Sequence, residues 1–436
     1  MLRTAYRSIL LGLLALAALA APAAAAPVVS GEFPVPEIGA NNKLVEGPEG
    51  NMWLTVSEAG KDVAKVTPAG VVTSYDLQAV TASGIAVGPE KRIWITRNGG
   101  VTSFDPADPE ATKAPTSISE IGTFHSIALG PDGNLWVATD GKVLRIPPAD
   151  PSKFTVFPVP NLSPRDIDAA GSLLAIADSG GEPRIVTMTT LGVPTAYKLP
   201  GGSQGVAGAP DGTIAFSQQG NAPEQVGLIQ PPTLSPLIET PGGGGDPFGA
   251  ARGVDGDFWL AMSANDGLAR LTPGGNLTLL GGFSKGSFPR QLAPGPNNTL
   301  WVTLDLTEKI GRVSGLEPPA PPPPTTKPVA KIAKGPKGVV KTRKKRAKVA
   351  FRFSSTDAAA TFQCRLLSLP PKGATKKGGK AASSAAKIRV PAFKGCKSPR
   401  RYKLKPGRYR FQVRAVNAAG AGKPAKRTFR VVRVAG

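Results

Sequence analysis

One histidine, two cysteines and 6% aromatic residues are little for a chain of 436 residues. A single His, His125, excludes any site needing two imidazoles, such as a multi-His zinc centre. Cys364 and Cys396 alone exclude a cysteine-rich metal cluster. No Gly-x-Ser-x-Gly elbow, phosphate loop or Rossmann fingerprint is present. Acids are nearly absent from the C-terminal quarter. Residues 329–436 hold Asp357 against 31 Lys and Arg, a net +30, whereas residues 1–328 sum to −7. What abounds is Gly (52) and Pro (45), which predicts many turns and short elements and argues against a helical bundle.

Arg3 and Arg7 precede an apolar run over residues 9–21, followed by Pro22 and a string of alanines. A positive start, a short apolar core and a small-residue finish describe a secretory signal peptide, here residues 1–26. The run is too short to suit a stable span, and no later segment supplies eighteen apolar residues. A secreted protein without a transmembrane span is expected.

The chain then repeats itself. Gly47-Pro48-Glu49-Gly50-Asn51-Met52-Trp53 returns as Gly88-Pro89-Glu90-Lys91-Arg92-Ile93-Trp94 and as Gly130-Pro131-Asp132-Gly133-Asn134-Leu135-Trp136. Degenerate copies place the marker at Leu174 and Ala215, and later copies restore it at Trp259 and Trp301. A period near 40 residues, with a tight turn feeding a Trp-bearing strand, is a propeller signature. The expected fold class is all-β: a seven-bladed β-propeller over residues 30–316, followed by a small β-sandwich. Closure is also legible. Phe157-Pro158-Val159-Pro160 ends the third unit, and the same Phe33-Pro34-Val35-Pro36 stands before the first, while the last unit lacks such a strand. Residues 31–37 are therefore expected to supply the outer strand of the seventh blade, where prolines are tolerated.

The units resemble the streptogramin (virginiamycin B) lyase family. Leu300-Trp301-Val302-Thr303 with Lys309-Ile310-Gly311-Arg312 carries the likeness best, and Leu268-Ala269-Arg270-Leu271-Thr272-Pro273-Gly274-Gly275 echoes it. The resemblance implies a seven-bladed propeller and a magnesium-dependent β-elimination that opens a cyclic depsipeptide. A His base and Glu metal ligands would then lie at one mouth. Carried over residue by residue, the His of the sixth blade becomes Phe248 and the base of the seventh becomes Arg290. The Glu before that base becomes Phe288, and the remaining Glu falls nearest Asp305, the one candidate metal ligand. Arginine is no base at neutral pH, so the implied lyase activity is not expected, and Mg2+ is carried only as what the resemblance implies.

Across the repeats the position of the family's His reads Asn42, Ser83, His125, Arg165, Gln204, Phe248 and Arg290. These seven are expected to ring one mouth of the central tunnel, with two Arg suited to a carboxylate, phosphate or sulfate. His125 with Asp140, four residues after its blade's Trp, is the candidate base and orienting acid of a shifted catalytic site. Asp178 and Asp305 share that offset.

Residues 317–328 form a proline-rich spacer, extended at about 3.1 Å per residue. Beyond it, residues 329–436 read as short alternating strands. Tyr409 and the Val413-Arg414-Ala415 strand after Lys405-Pro406-Gly407 resemble the late strands of fibronectin type III and immunoglobulin-like domains. Cys364 and Cys396, 32 apart in an exported chain, are expected to form a disulfide. The basic runs lack interleaved aromatics, so an anionic cell-envelope polymer is the expected partner rather than nucleic acid. Three readings stand: a monomeric secreted protein binding a small or anionic ligand at the mouth, a lyase-like enzyme with a shifted site, and a protein-interaction scaffold using the rim.

Overall fold

The computed structural model describes residues 26–36, 38, 42–57, 60–77, 82–110, 116–118, 120, 126–220, 224–240, 244–319, 324–370 and 390–435. The leader-like segment up to residue 25 and His125 lie outside them. The chain divides into two compact units, Met1–Pro319 and Ala320–Gly436.

The first unit is seven antiparallel sheets in chain order, six of four strands and one, the fifth, with an added short strand. The innermost strands are Leu44–Glu46, Ile85–Val87, Ser126–Leu129, Pro164–Ala170, Val206–Gly208, Pro247–Arg252 and Pro289–Gly295. Each packs against the next, and the last packs against the first, so the ring closes. The only helical turns among the described residues are four three-residue 3-10 turns.

The repeated motif has a packing reason. The Trp of the second strand lies against the Gly six residues earlier, and a Cβ on Gly47, Gly88, Gly130 or Gly295 would approach that indole to between 2.3 and 2.6 Å. In the third and sixth blades the turn acid then receives the indole N–H: Trp136 Nε1 donates to Asp132 Oδ1 (2.9 Å), and Trp259 Nε1 lies 3.3 Å from Asp255. Trp53, Trp136, Trp259 and Trp301 are fully or almost fully buried. Two residues after the Trp, a hydroxyl on Thr55, Thr96 or Thr303 accepts a backbone N–H from the start of its blade's inner strand (2.8–3.0 Å). Ser217 does the same for Gly205 in the fifth blade (3.0 Å).

The expected closure is present, shifted three residues upstream. Val28–Pro34 pairs antiparallel with Lys309–Ser314 and completes the seventh sheet. Phe33 stacks on Trp301 (5.6 Å between ring centres), just as Phe157 stacks on Trp136 in the third blade (5.5 Å). The mimicry extends further. Arg312 lies over Phe33, and Arg145 lies over Phe157. Gly70 and Gly192, both in the left-handed region, sit so close to these Phe rings that a Cβ would come within 1.9 and 2.0 Å. Glu32 fastens the strand, with its carboxylate taking Lys309 Nζ (3.0 Å) and both Ser284 N and Oγ (2.6 Å each).

The second unit is a two-sheet sandwich. Three strands, Ala330–Lys334, Ala347–Ser355 and Arg400–Leu404, face a larger sheet in which Ala425–Arg433 and Thr361–Leu369 flank Gly407–Asn417. Phe351, Phe411, Val413, Phe429 and Val431 fill the space between. Cys364 and Cys396 form the disulfide, with Cα atoms 5.8 Å apart.

All five Trp belong to the propeller, so their fluorescence reports that unit alone. Phe33→Ala is expected to lower its unfolding free energy by about 3–5 kcal/mol, as for other large core truncations, with Phe157→Ala costing a similar amount. A Phe33→Ala protein with an unchanged denaturant midpoint would show that the N-terminal strand is not part of the ring.

Candidate functional site

Where the seven inner strands meet, a cavity of 380 Å³ runs through the ring, lined by residues from every inner strand. Its walls are largely small and apolar, among them Ile85, Ala86, Ala128, Val206, Ala251 and Ala293. A polar knot crosses it. Lys43 Nζ donates to Asp166 Oδ1 (2.9 Å) and Gln291 Oε1 (3.0 Å). Ser126 Oγ donates to the same Asp166 oxygen (3.2 Å), and Val206 N donates to the other (3.3 Å). The first, third, fourth, fifth and seventh blades meet there. Lys43 and Asp166 are only 14% and 12% exposed, so the charges satisfy each other out of water. Two residues along the same strand, burial pushes the Asp168 carboxyl up to about 6, reinforced by the Asp166 charge and opposed by the N–H groups of Gly208 and Ala169.

These throat residues stand one position after the expected mouth ring: 43 after 42, 126 after 125, 166 after 165 and 291 after 290. The ring residues themselves take other roles. Asn42 is buried and donates to Thr55 Oγ1 (3.5 Å). Ser83 donates its N–H to the Thr96 carbonyl (3.1 Å), and Gln204 donates its N–H to Ser217 Oγ (3.3 Å). Arg165 is exposed and donates Nε–H to Ser179 Oγ (2.6 Å). Asp140 is exposed at its hairpin, and its proposed partner His125 lies outside the described residues. Asp178, at the same offset, is fully buried and accepts Ser163 N, Gly180 N and Arg184 Nε at 2.8–3.0 Å, which is a fastening role.

The four positions carried over from the lyase pattern do come together. The Arg290 guanidinium lies 4.1 Å from the Phe248 ring centre and 4.9 Å from that of Phe288. Such contacts favour a desolvated cation. Arg290 Nε also sits 3.0 Å from Asp305 Oδ2, close enough for charge attraction but without hydrogen-bonding geometry between the two. Burial therefore prevails at Asp305 and pushes its carboxyl up to about 7, against Arg290 and the Thr303 hydroxyl. Phe288 takes a left-handed backbone (φ 55°) that bulky residues rarely adopt. Asp266 holds it there, accepting N–H from Gly286 (2.7 Å) and Phe288 (3.2 Å). Against the upward pull of burial, these bonds keep the Asp266 carboxyl below its usual range. Asp246, the other acid facing Arg290, is raised by burial and by Glu224.

A hard divalent cation needs several oxygen donors. Among the described residues no group of three or more His, Cys, Asp or Glu is arranged to hold a metal. Asp305 already faces a fixed guanidinium, so these residues do not fit Mg2+.

Comparison with known proteins bears on this arrangement. The model of the virginiamycin B lyase family matches residues 179–344. Among solved structures, a streptogramin B lyase superposes with a TM-score of 0.56 at 17% identity, covering 65% of this chain and 96% of its own. The virginiamycin B lyase of Staphylococcus aureus gives 0.56 at 19% identity, over 65% and 98%. A catalytically inactive variant of that enzyme with Quinupristin gives 0.55 at 19% identity. No curated protein matches. At these identities the structural likeness establishes the fold.

Two outcomes follow for the throat and the mouth. Lys43→Met leaves Asp166 charged and unpaired, with an expected loss of about 3–5 kcal/mol, whereas pairing it with Asp166→Leu recovers most of that loss. Equal costs for the single and double variants in Trp-monitored unfolding would contradict the knot. Asp305 binds its proton more tightly folded than unfolded, so its stabilising contribution is complete below its ordinary value of 3.8 and is lost as pH rises to about 7. Asp305→Asn is expected to remove this decline over its whole range, so that the Asp168 component remains below about pH 6 and neither group contributes above it. A pH–stability profile of Asp305→Asn identical to the native one would refute the assignment.

Proposed function

We propose that this virginiamycin B lyase-like propeller is an exported ligand-binding module that does not open cyclic depsipeptides. The observation that carries the reading is the cluster at the sixth and seventh blades. Where the resemblance calls for a base and metal ligands stand Phe248, Phe288, Arg290 and Asp305, and Arg290 is in contact with the other three. Arg290 keeps its proton at any physiological pH and cannot abstract one. Asp305 is held beside a cation where a metal ligand would need to be free.

The mouth retains groups suited to recognition. Arg165 is exposed on the fourth blade, and Gln204 stands at the matching position of the fifth. A guanidinium beside an amide favours a carboxylate or phosphate group on a small ligand. The knot of Lys43, Asp166 and Gln291 forms the floor beneath such a ligand, so binding is expected at the mouth and not through the tunnel. Export is supported by the leader-like start of the chain and by the Cys364–Cys396 disulfide, a bond that persists in oxidising compartments. The basic sandwich supplies retention at an anionic cell envelope.

The test is to incubate the full chain with Quinupristin, with and without Mg2+, and to titrate it calorimetrically with a panel of small carboxylates and phosphates. Intact Quinupristin in both conditions, and a saturable anion whose affinity drops at least tenfold in Arg165→Ser, are expected. A ring-opened product would overturn the reading. If that product were lost on His125→Ala, it would establish the shifted-site enzyme instead.

A further inference from the structure

The larger sheet of the C-terminal sandwich has one face in the core and one outside. Alternation along its strands sorts them: Tyr409, Phe411, Val413 and Ala415, with Phe429 and Val431, belong to the core. Their neighbours Arg408, Arg410, Arg414, Lys426 and Arg430 therefore stand on the outer face. Pairing then puts like charges opposite each other. Arg408 is the direct cross-strand partner of Arg430. Leu369 extends this row on one side and Val339 on the other. Like charges directly opposite on a sheet are destabilising, and a sequence selected only for stability would relieve them. No acid does so. The sole acid of residues 329–436, Asp357, accepts Asn417 Nδ2 and Ala359 N, and no ion pair among the described residues involves this unit.

The row is also concave. A cavity of 690 Å³ lies over it, lined by Val339, Leu369, Arg408, Thr428, Arg430 and Val432. Farther along the face, Gln363 and Gln412 accept hydrogen bonds from Arg414 and Arg365 (2.6–2.9 Å), which sets the direction of both guanidiniums. Both also lie on the Phe393 ring, at 4.2 and 4.3 Å. The one aromatic ring of the array is thus engaged by cations and does not offer a face for base stacking, on which sequence-tolerant nucleic-acid binding relies.

We propose that this outer face is the docking surface for a phosphodiester-linked polymer of the cell envelope, with Arg408 and Arg430 as the central clamp. Two forks on adjacent strands approach one phosphate from both sides, and Arg410, about 6.8 Å from Arg408 along its strand, reaches the next. Charge complementarity selects the occupant: a base-free polyanion neutralises the opposed arginines, and no ring is required of the protein. The assignment rests on the envelope-retention reading above and adds to it the face and the chemistry.

The full chain is tested against fluorescent poly(glycerol phosphate) over a range of salt concentrations. Arg408→Ser/Arg430→Ser is compared with Lys331→Ser/Lys348→Ser, which removes the same charge from the exposed side of the three-stranded sheet. The first pair is expected to weaken binding at least tenfold and to flatten the salt slope by about 1.4, two phosphate contacts' worth for a flexible chain. The second is expected to weaken it less than threefold. Arg430→Ser alone should leave the calorimetric melting of the sandwich unchanged or raise it, because it removes a repulsion; a lowered melting point would make these arginines structural. Equal losses from the two double variants would overturn the clamp while sparing envelope retention. Tighter binding of single-stranded DNA or of phosphatidylglycerol vesicles than of the polymer would replace the proposed occupant. Binding to none of the three would remove the retention reading as well.

Discussion

The propeller depends on one strand pairing drawn from opposite ends of the unit. Val28–Pro34 lies against Lys309–Ser314 and turns seven wedges into a ring without a free edge. Each wedge buries its faces only against neighbours, so an unclosed seventh wedge would expose the core of both the first and the last. The Phe33–Trp301 stack and the Arg312 cover copy the arrangement of Phe157, Trp136 and Arg145 in the uninterrupted third blade, and Gly70 of the first blade cradles Phe33 as Gly192 of the fourth cradles Phe157. The N-terminal strand thus occupies the same structural position that a chain-continuous outer strand occupies elsewhere.

Much of this was legible because it is local. Gly six residues before Trp, an acid four before it and a turn between them are a packing unit that stands complete in the first, second, third and sixth periods. The twin Phe-Pro-Val-Pro segments exposed the closure, although its strand begins upstream of the prolines, at Val28, and Val35 N still donates to the Glu308 carbonyl beyond Pro34 (2.9 Å). The throat was not legible. Lys43 and Asp166 are 123 residues apart, and nothing in either neighbourhood announces the other. The repeat marked the mouth positions 42, 165 and 290; the residues that cross the tunnel are their immediate neighbours, which point to the other side of the strand. The cluster of Phe248, Phe288, Arg290 and Asp305 was located through the resemblance, but the sandwiching of the guanidinium between two rings required coordinates.

That cluster and the throat knot share a logic. Both place a cation where water is scarce and give it partners within the protein: carboxylate and amide for Lys43, rings and a carboxylate for Arg290. Such groups set the shape of a site and resist change of protonation, whereas proton abstraction needs a base that can alternate between forms. The outer face of the sandwich follows the opposite logic. Its arginines are opposed to one another, without acids, and gain neutralisation only from outside. The cations of the propeller cluster and knot face carboxylates of their own unit, whereas those of the sandwich face do not, which fits the proposed division between recognition and retention.

Ring closure is the claim on which every site assignment rests, and hydrogen exchange followed by mass spectrometry on the full chain tests it most directly. The account predicts that the amides of residues 28–34 that face 309–314 exchange as slowly as the inward-facing amides of the chain-continuous outer strand Thr155–Pro158. Exchange of 28–34 within seconds, while 299–304 stays protected, would contradict it.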